Sequence, residues 1–146
     1  MIEICCPALH ETFADHDLEL PNARLDPQRS FDGQRFLRHI AAETNWTAFA
    51  AGEAQETAMR DATGGRADVR IVRPIGAEPI EVPPHDGELV FGFILGGTAQ
   101  LAFGGKLPIG QGDAFVIPPG EPWTLADASP DFRLLNVTTN RLGQFA

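Results

Sequence analysis

From Trp46 onward the chain is written in short apolar runs broken by glycine and proline. The runs that read as strands are Trp46 to Ala51, Glu56 to Arg60, Ala67 to Arg73, Glu78 to Val82, Glu88 to Leu95, Thr98 to Phe103, Ala114 to Ile117, Trp123 to Leu125 and Phe132 to Thr138. Between them stand Gly64-Gly65, Pro83-Pro84, Gly96-Gly97, Gly104-Gly105, Gly110, Pro118-Pro119-Gly120 and Pro130, each a turn or breaker signal. This many short strands at such spacing predicts an antiparallel sandwich or barrel, with a jelly roll as the compact solution. Successive side chains of a strand point to opposite faces. In Glu88 to Leu95, Leu89, Phe91, Phe93 and Leu95 therefore oppose Glu88, Val90, Gly92 and Ile94, and both faces are largely apolar. The second apolar face requires a cover: the N-terminal arm, a second sheet or another subunit. Thr98 to Phe103 alternates instead, with Ala99, Leu101 and Phe103 on its apolar side, and Gly96-Gly97 suits a tight hairpin turn before it.

The first 45 residues read differently, as an irregular arm ahead of a barrel over 46–146. Only Phe36, Leu37, Ile40 and Ala41 follow helical spacing, after possible caps at Ser30 or Asp32, so the arm is expected to hold one short helix.

Composition narrows the function classes. A chain of 146 residues is one domain's length, and 11 Lys+Arg against 20 Asp+Glu give a net charge of −9. Such a chain is repelled by phosphate backbones and anionic lipid, so neither nucleic acid nor a membrane is expected as partner. The two cysteines, Cys5 and Cys6, are adjacent and form no disulfide framework. The opening segment lacks a basic start and a long apolar stretch, and Leu89 to Leu95 is too short to span a bilayer. A cytoplasmic location is the expectation.

The most specific text is Gly112-Asp113-Ala114-Phe115-Val116-Ile117-Pro118-Pro119-Gly120-Glu121-Pro122-Trp123. Its glycine, five residues, proline, one residue, glycine resembles the second motif of the cupin superfamily. His85 to Gly97 is similar to the first cupin motif and ends at its glycine, Gly97. The resemblance covers residues 46 to 140 and implies an all-β, cupin-type double-stranded β-helix, a jelly-roll barrel of the small single-domain RmlC-like kind. It also implies a divalent-metal site of three histidines and a glutamate, whose places fall here on Pro83, His85, Val90 and Trp123. Of these only His85 can ligate a metal; a slip of register adds at most Glu88. The expectation is a degenerate motif with no metal and no cofactor.

Each remaining candidate has two readings. His85 is either an exposed turn histidine or a ligand-binding group at the barrel mouth. Trp123 either fills the volume of the missing metal shell or offers a stacking face and an indole N–H to a ligand. Glu88 and Glu121 read as solvated carboxylates unless burial beside His85 suits them to proton transfer. Gly92, mid-strand between two phenylalanines, implies the close approach of a ligand or of the Trp123 ring. Gln100, Arg73 and Asn136 are possible polar anchors. The expected binding set is thus His85, Glu88, Gly92, Gln100 and Trp123, taking a small-molecule ligand, in a homodimer formed through the face of Phe91 and Phe93. Whether the chain is catalytic stays open. The alternative is a metal-dependent cupin enzyme, a dioxygenase, isomerase or lyase, using His85 and Glu88 with His10, His16 or His39 from the arm.

Overall fold

The computed structural model describes residues 28–31 and 33–140. A small hairpin, β1 (Ser30–Phe31) with β2 (Gln34–Arg35), leads into an extended segment and a 3-10 turn at Ala41–Glu43. The barrel strands follow: β3 (Thr47–Phe49), β4 (Gly52–Glu56), β5 (Ala67–Pro74), β6 (Ile80–Val82), β7 (Leu89–Gly96), β8 (Thr98–Ala102), β9 (Lys106–Gly110), β10 (Ala114–Ile117), β11 (Trp123–Ala126) and β12 (Arg133–Thr139). One helical turn, α1 (Met59–Ala62), links β4 to β5. A six-stranded sheet of order β10-β7-β12-β5-β4-β3 faces a four-stranded sheet of order β6-β11-β8-β9, with antiparallel pairing throughout. This is the jelly roll that the strand spacing predicts.

Alternation decides the core. On β7, Val90, Gly92 and Ile94 are buried while Leu89, Phe91 and Phe93 are half-buried. Ile94, Leu134, Val72 and Ala54 lie in cross-strand register on the inner face of the larger sheet. They share one core with Ala99, Leu101, Trp123, Leu125 and Ile80 of the smaller sheet. The outer face of the larger sheet is partly covered from within the chain. The buried amide of Gln55 on β4 donates to the carbonyls of Ala41 and Thr44 at 3.0 and 2.7 Å, which seats the 3-10 turn there.

Four expectations are corrected. The helical spacing at Phe36 to Ala41 yields extended chain, with the 3-10 turn only from Ala41; Phe36 is 75% exposed, so no apolar stripe is buried that would stabilise a short helix. The expected strand from Glu56 to Arg60 is instead the end of β4 followed by α1, because Ala58 turns the chain at φ 58. Strand β9 was not expected, since Gly104-Gly105, Pro108 and Gly110 read as breakers; β9 is an edge strand, where a proline is tolerated.

Gly96-Gly97 makes no hairpin. β7 and β8 belong to different sheets, and Gly97 is the corner at which the chain crosses between them. Gly97 has φ +72, and a Cβ there would lie 2.5 Å from the backbone N and Cα of Phe132. Ser129 closes the same corner: its hydroxyl accepts from the Thr98 N–H at 2.9 Å and donates to Asp131 at 2.7 Å. That bond is the main reason the exposed Asp131 carboxyl titrates below its usual range. The same positive φ without crowding occurs at Gly104, which has φ +62 and nothing near its missing Cβ. Gly104→Ala is therefore expected to cost about 1 kcal/mol from backbone strain alone, and Gly97→Ala about 2–4 kcal/mol, since backbone must also move. Chemical denaturation of both variants compares them; equal losses would show that the close approach to Phe132 contributes nothing.

Candidate functional site

At one end of the barrel the two sheets diverge around a cavity of about 390 Å³. The six-stranded sheet supplies its polar wall. Register places Phe115, Gly92, Asn136, Arg70 and Glu56 in one row across five strands of that sheet, on the face that bears the core. The next row, towards the mouth, holds Ile117, Val90, Thr138 and Asp68. Asp68, Arg70, Val90, Asn136 and Thr138 all border the cavity. The opposite wall is mostly apolar, with Val82, Pro83, Pro84 and Trp123, while Arg60 of α1 and Glu81 of β6 stand at its edges.

Arg70 is the anchor of the polar wall. Its Nη2 donates to Asp68 at 2.6 Å, its Nε lies 3.6 Å from Glu56, and its guanidinium sits 5.0 Å from the centre of the Phe49 ring. Arg70 keeps 23% of its side-chain exposure, so this pairing is partly screened and fixes position more than it adds stability.

Beside this satisfied pair stand unsatisfied groups. The Trp123 indole nitrogen and the Asn136 amide nitrogen are buried without a hydrogen-bond partner, in side chains 3% and 7% exposed. Buried polar groups are ordinarily paired, and leaving one unpaired costs about 1–3 kcal/mol. Both are N–H donors, and both border the cavity.

The sequence candidates divide. His85 and Trp123 meet in this cavity. His85 also braces its loop: Nε2 donates to the Ile117 carbonyl at 3.2 Å, and the Gly120 N–H donates to the His85 carbonyl at 2.9 Å. Because a carbonyl only accepts, the proton sits on Nε2, and Nδ1 is buried without a partner. Glu88 is exposed and does not border the cavity; its backbone N–H is bound to Thr139. Gln100 lies instead at a shallow depression with Pro108 and Asp127, on the smaller sheet. At Gly92 the close approach is made by Phe115 and not by Trp123. A Cβ there would lie 2.3 Å from the tip of Phe115, whose ring stands edge-on to Trp123 at 5.5 Å. Glu121 is exposed. Of the polar anchors, Asn136 lines the cavity, whereas Arg73 pairs with Glu53 at 2.7 Å and stacks on Trp46 at 3.9 Å, away from it.

Sequence reading did not single out Asp68, Arg70 and Thr138. The signal for them was a period-two run of polar residues along strands whose other positions are apolar.

The four places at which the cupin pattern puts metal ligands do converge. Pro83, His85, Val90 and Trp123 all border the one cavity. Proline, valine and indole have no lone pair to offer a metal, and the one histidine among them has its Nε2 engaged. Among the described residues no group of three or more His, Cys, Asp or Glu side chains could hold a metal ion. His39, from the arm, is held to Thr44 at 3.4 Å and does not line the cavity, while His10 and His16 lie outside the described residues. The residues present do not fit the metal that the family pattern implies. Among the described residues no helix is long and apolar enough to cross a membrane.

Comparison with known proteins agrees with this architecture. No curated protein sequence matches the chain. A predicted oxalate decarboxylase of Thermotoga maritima superposes with a TM-score of 0.64 at 17% identity, covering 72% of this chain and all of that one (100%). KdgF from Halomonas sp. gives 0.60 at 18% identity, covering 74% and 96% of the two chains. The polyketide cyclase RemF from Streptomyces resistomycificus gives 0.53 at 21% identity, covering 73% and 80%. These likenesses are of fold. The family described as "Cupin domain" matches residues 70–138, which run from Arg70 through both motifs to Thr138. With that match and the two-sheet barrel together, the chain has a cupin-type jelly-roll fold.

Proposed function

We propose that this cupin-type barrel binds a small molecule in the cavity bounded by Arg70, Asn136 and Trp123, and that it does so without a metal. One observation carries the reading: the four ligand positions of the family converge on the cavity, yet three of them, Pro83, Val90 and Trp123, cannot ligate. In their place the cavity presents an apolar wall and two unpaired N–H donors, beside the unpaired Nδ1 acceptor of His85. A concave site of a few hundred Å³, mostly apolar with a few fixed polar groups, is the ordinary form of a small-molecule site. Its size, about 390 Å³, accommodates a ligand of one ring with its substituents. The walls come from strands on both sheets, so the site is rigid before the ligand arrives, which lowers the entropy lost on binding. The neighbours named as enzymes lend their fold to this proposal, while a fold alone hosts many functions.

The metal-independent reading makes a direct prediction. Protein incubated with Fe, Mn, Ni or Zn and desalted is expected to retain far less than one equivalent by elemental analysis, and His85→Ala to change nothing. One equivalent retained, and lost in His85→Ala, would overturn the reading.

The convergence of positions makes a second prediction. Restoring two imidazoles with Pro83→His and Trp123→His, beside the native His85, is expected to create a Zn or Ni site. Added metal should then raise the melting temperature of the double variant by several degrees and leave the parent unmoved, since a ligand that binds only the folded state stabilises it. No shift in a variant whose spectrum shows it folded would mean that these positions do not converge as described.

A further inference from the structure

Resting on the proposal that this cavity binds a small molecule, we infer that its ligand is a carboxylate whose oxygens accept hydrogen bonds from Trp123, Asn136 and Arg70.

The first argument is the sign of the unmet demand. Where the family pattern calls for atoms that give a lone pair, Trp123 supplies an indole nitrogen that can only donate a proton. Its Nε1 and the Asn136 Nδ2 are buried, unpartnered and at the same cavity. The unpartnered Nδ1 of His85 at the same cavity can accept one proton from the ligand, whereas a cation offers the two N–H groups nothing. An oxygen acceptor satisfies both.

The second argument is the neighbour of Asn136. Residue Arg70 is its direct cross-strand partner on the same face, which brings the two side chains to a Cβ separation of about 5 Å. Nη2 of the guanidinium donates to Asp68 and Nε faces Glu56 at 3.6 Å, which leaves the Nη1 edge without a hydrogen-bond partner among the described residues. A planar cation with an open donor edge next to an amide donor selects a planar anion with two oxygens. Asp68 and Glu56 engage Nη2 and Nε and hold the fork in place, so the selection falls to the remaining Nη1 edge beside Asn136.

The third argument is the remainder of the site. Opposite the donors the wall is Val82, Pro83, Pro84 and the face of Trp123, with Phe49 on the near side. It offers apolar contact to the body of the ligand. A compact apolar or aromatic acid, charged at one end only, matches both halves.

The chain carries its own control for testing this, because it has two tryptophans. Trp123 lines the cavity, whereas Trp46 lies beneath the guanidinium groups of Arg73 at 3.9 Å and Arg133 at 5.6 Å and does not border it. Titration of ¹⁵N-labelled full-length protein with benzoate, its neutral isostere benzamide and the cation benzylammonium, followed by the two indole N–H signals, separates the possibilities. The expected result is a saturable downfield shift of the Trp123 indole proton with benzoate, at least tenfold tighter than with benzamide, and no response to benzylammonium. Asn136→Asp, which replaces the donor by a charge of the wrong sign, is expected to weaken benzoate at least tenfold, while Asn136→Gln stays within about threefold. The ¹H–¹⁵N spectrum of each variant reports that it is folded, and should Asn136→Asp fail to fold, Arg70→Gln serves as the second variant, with the same expected loss read at the Trp123 indole. Equal affinity for benzoate and benzamide, with Trp123 still responding, would overturn the carboxylate and leave the cavity as a binding site. Response to none of the three probes, or at Trp46 alone, would overturn the inference and the binding proposal together.

Discussion

The two sheets of this barrel share no ladder, so side chains meeting between them are what make it one body. The contact on which the mouth depends is that of Phe115 with Gly92 and Trp123. Residues 92 and 115 are cross-strand partners, and only the missing Cβ at 92 lets the Phe115 ring lie flat across the larger sheet. From there its ring meets Trp123 of the smaller sheet edge-on, a favoured arrangement for two aromatic quadrupoles. The position of the Trp123 indole is thus set by a glycine on the opposite sheet. Fixing a polar group through a chain of fitted neighbours is how a close-packed interior holds geometry that no single bond enforces.

Much of the fold was legible because alternation and punctuation are local. β5, β7, β8, β10, β11 and β12 could be read from period-two apolar runs between glycine and proline signals. The failures have physical causes. Gly97 gives the same turn signal whether the next strand pairs back or crosses to another sheet, and the difference lies in Phe132, far along the chain. The turn at Ala50 and the break at Ala58 are left-handed backbone carried by alanine, which has no turn preference to display. In β9, a proline on an outer edge loses no ladder bond, so a breaker by sequence is a strand by position.

The site was legible in proportion to how much of it lay within the motif. His85 and Trp123 sit at motif positions, and both border the cavity. Glu88 and Gln100 were placed by nearness in sequence or strand, and Gly92 by its oddity; none of these reports which wall a residue joins. The polar row of Asn136 with Arg70 depends on the register of β12 against β5, strands that pair across more than half of the described chain. Register is fixed by packing of both faces at once, and no single segment contains it. Histidine scarcity, by contrast, could be read without any structure: of the four ligand places of the family pattern, His85 alone carries an imidazole, while Trp123 carries an N–H donor.

The position of β12 also governs how the molecule can be made. It is the last described strand in the chain, yet it lies in the middle of the six-stranded sheet, between β7 and β5. During synthesis from the N-terminus, β4 with β5 and β7 with β10 can each pair, but the sheet stays split into two halves with facing open edges until residues 133–139 leave the ribosome. Open edges of apolar strands are templates for pairing with other chains. The larger sheet therefore closes only once residues 133–139 have been made, and a chain stopped before Arg133 would hold two unmatched half-sheets.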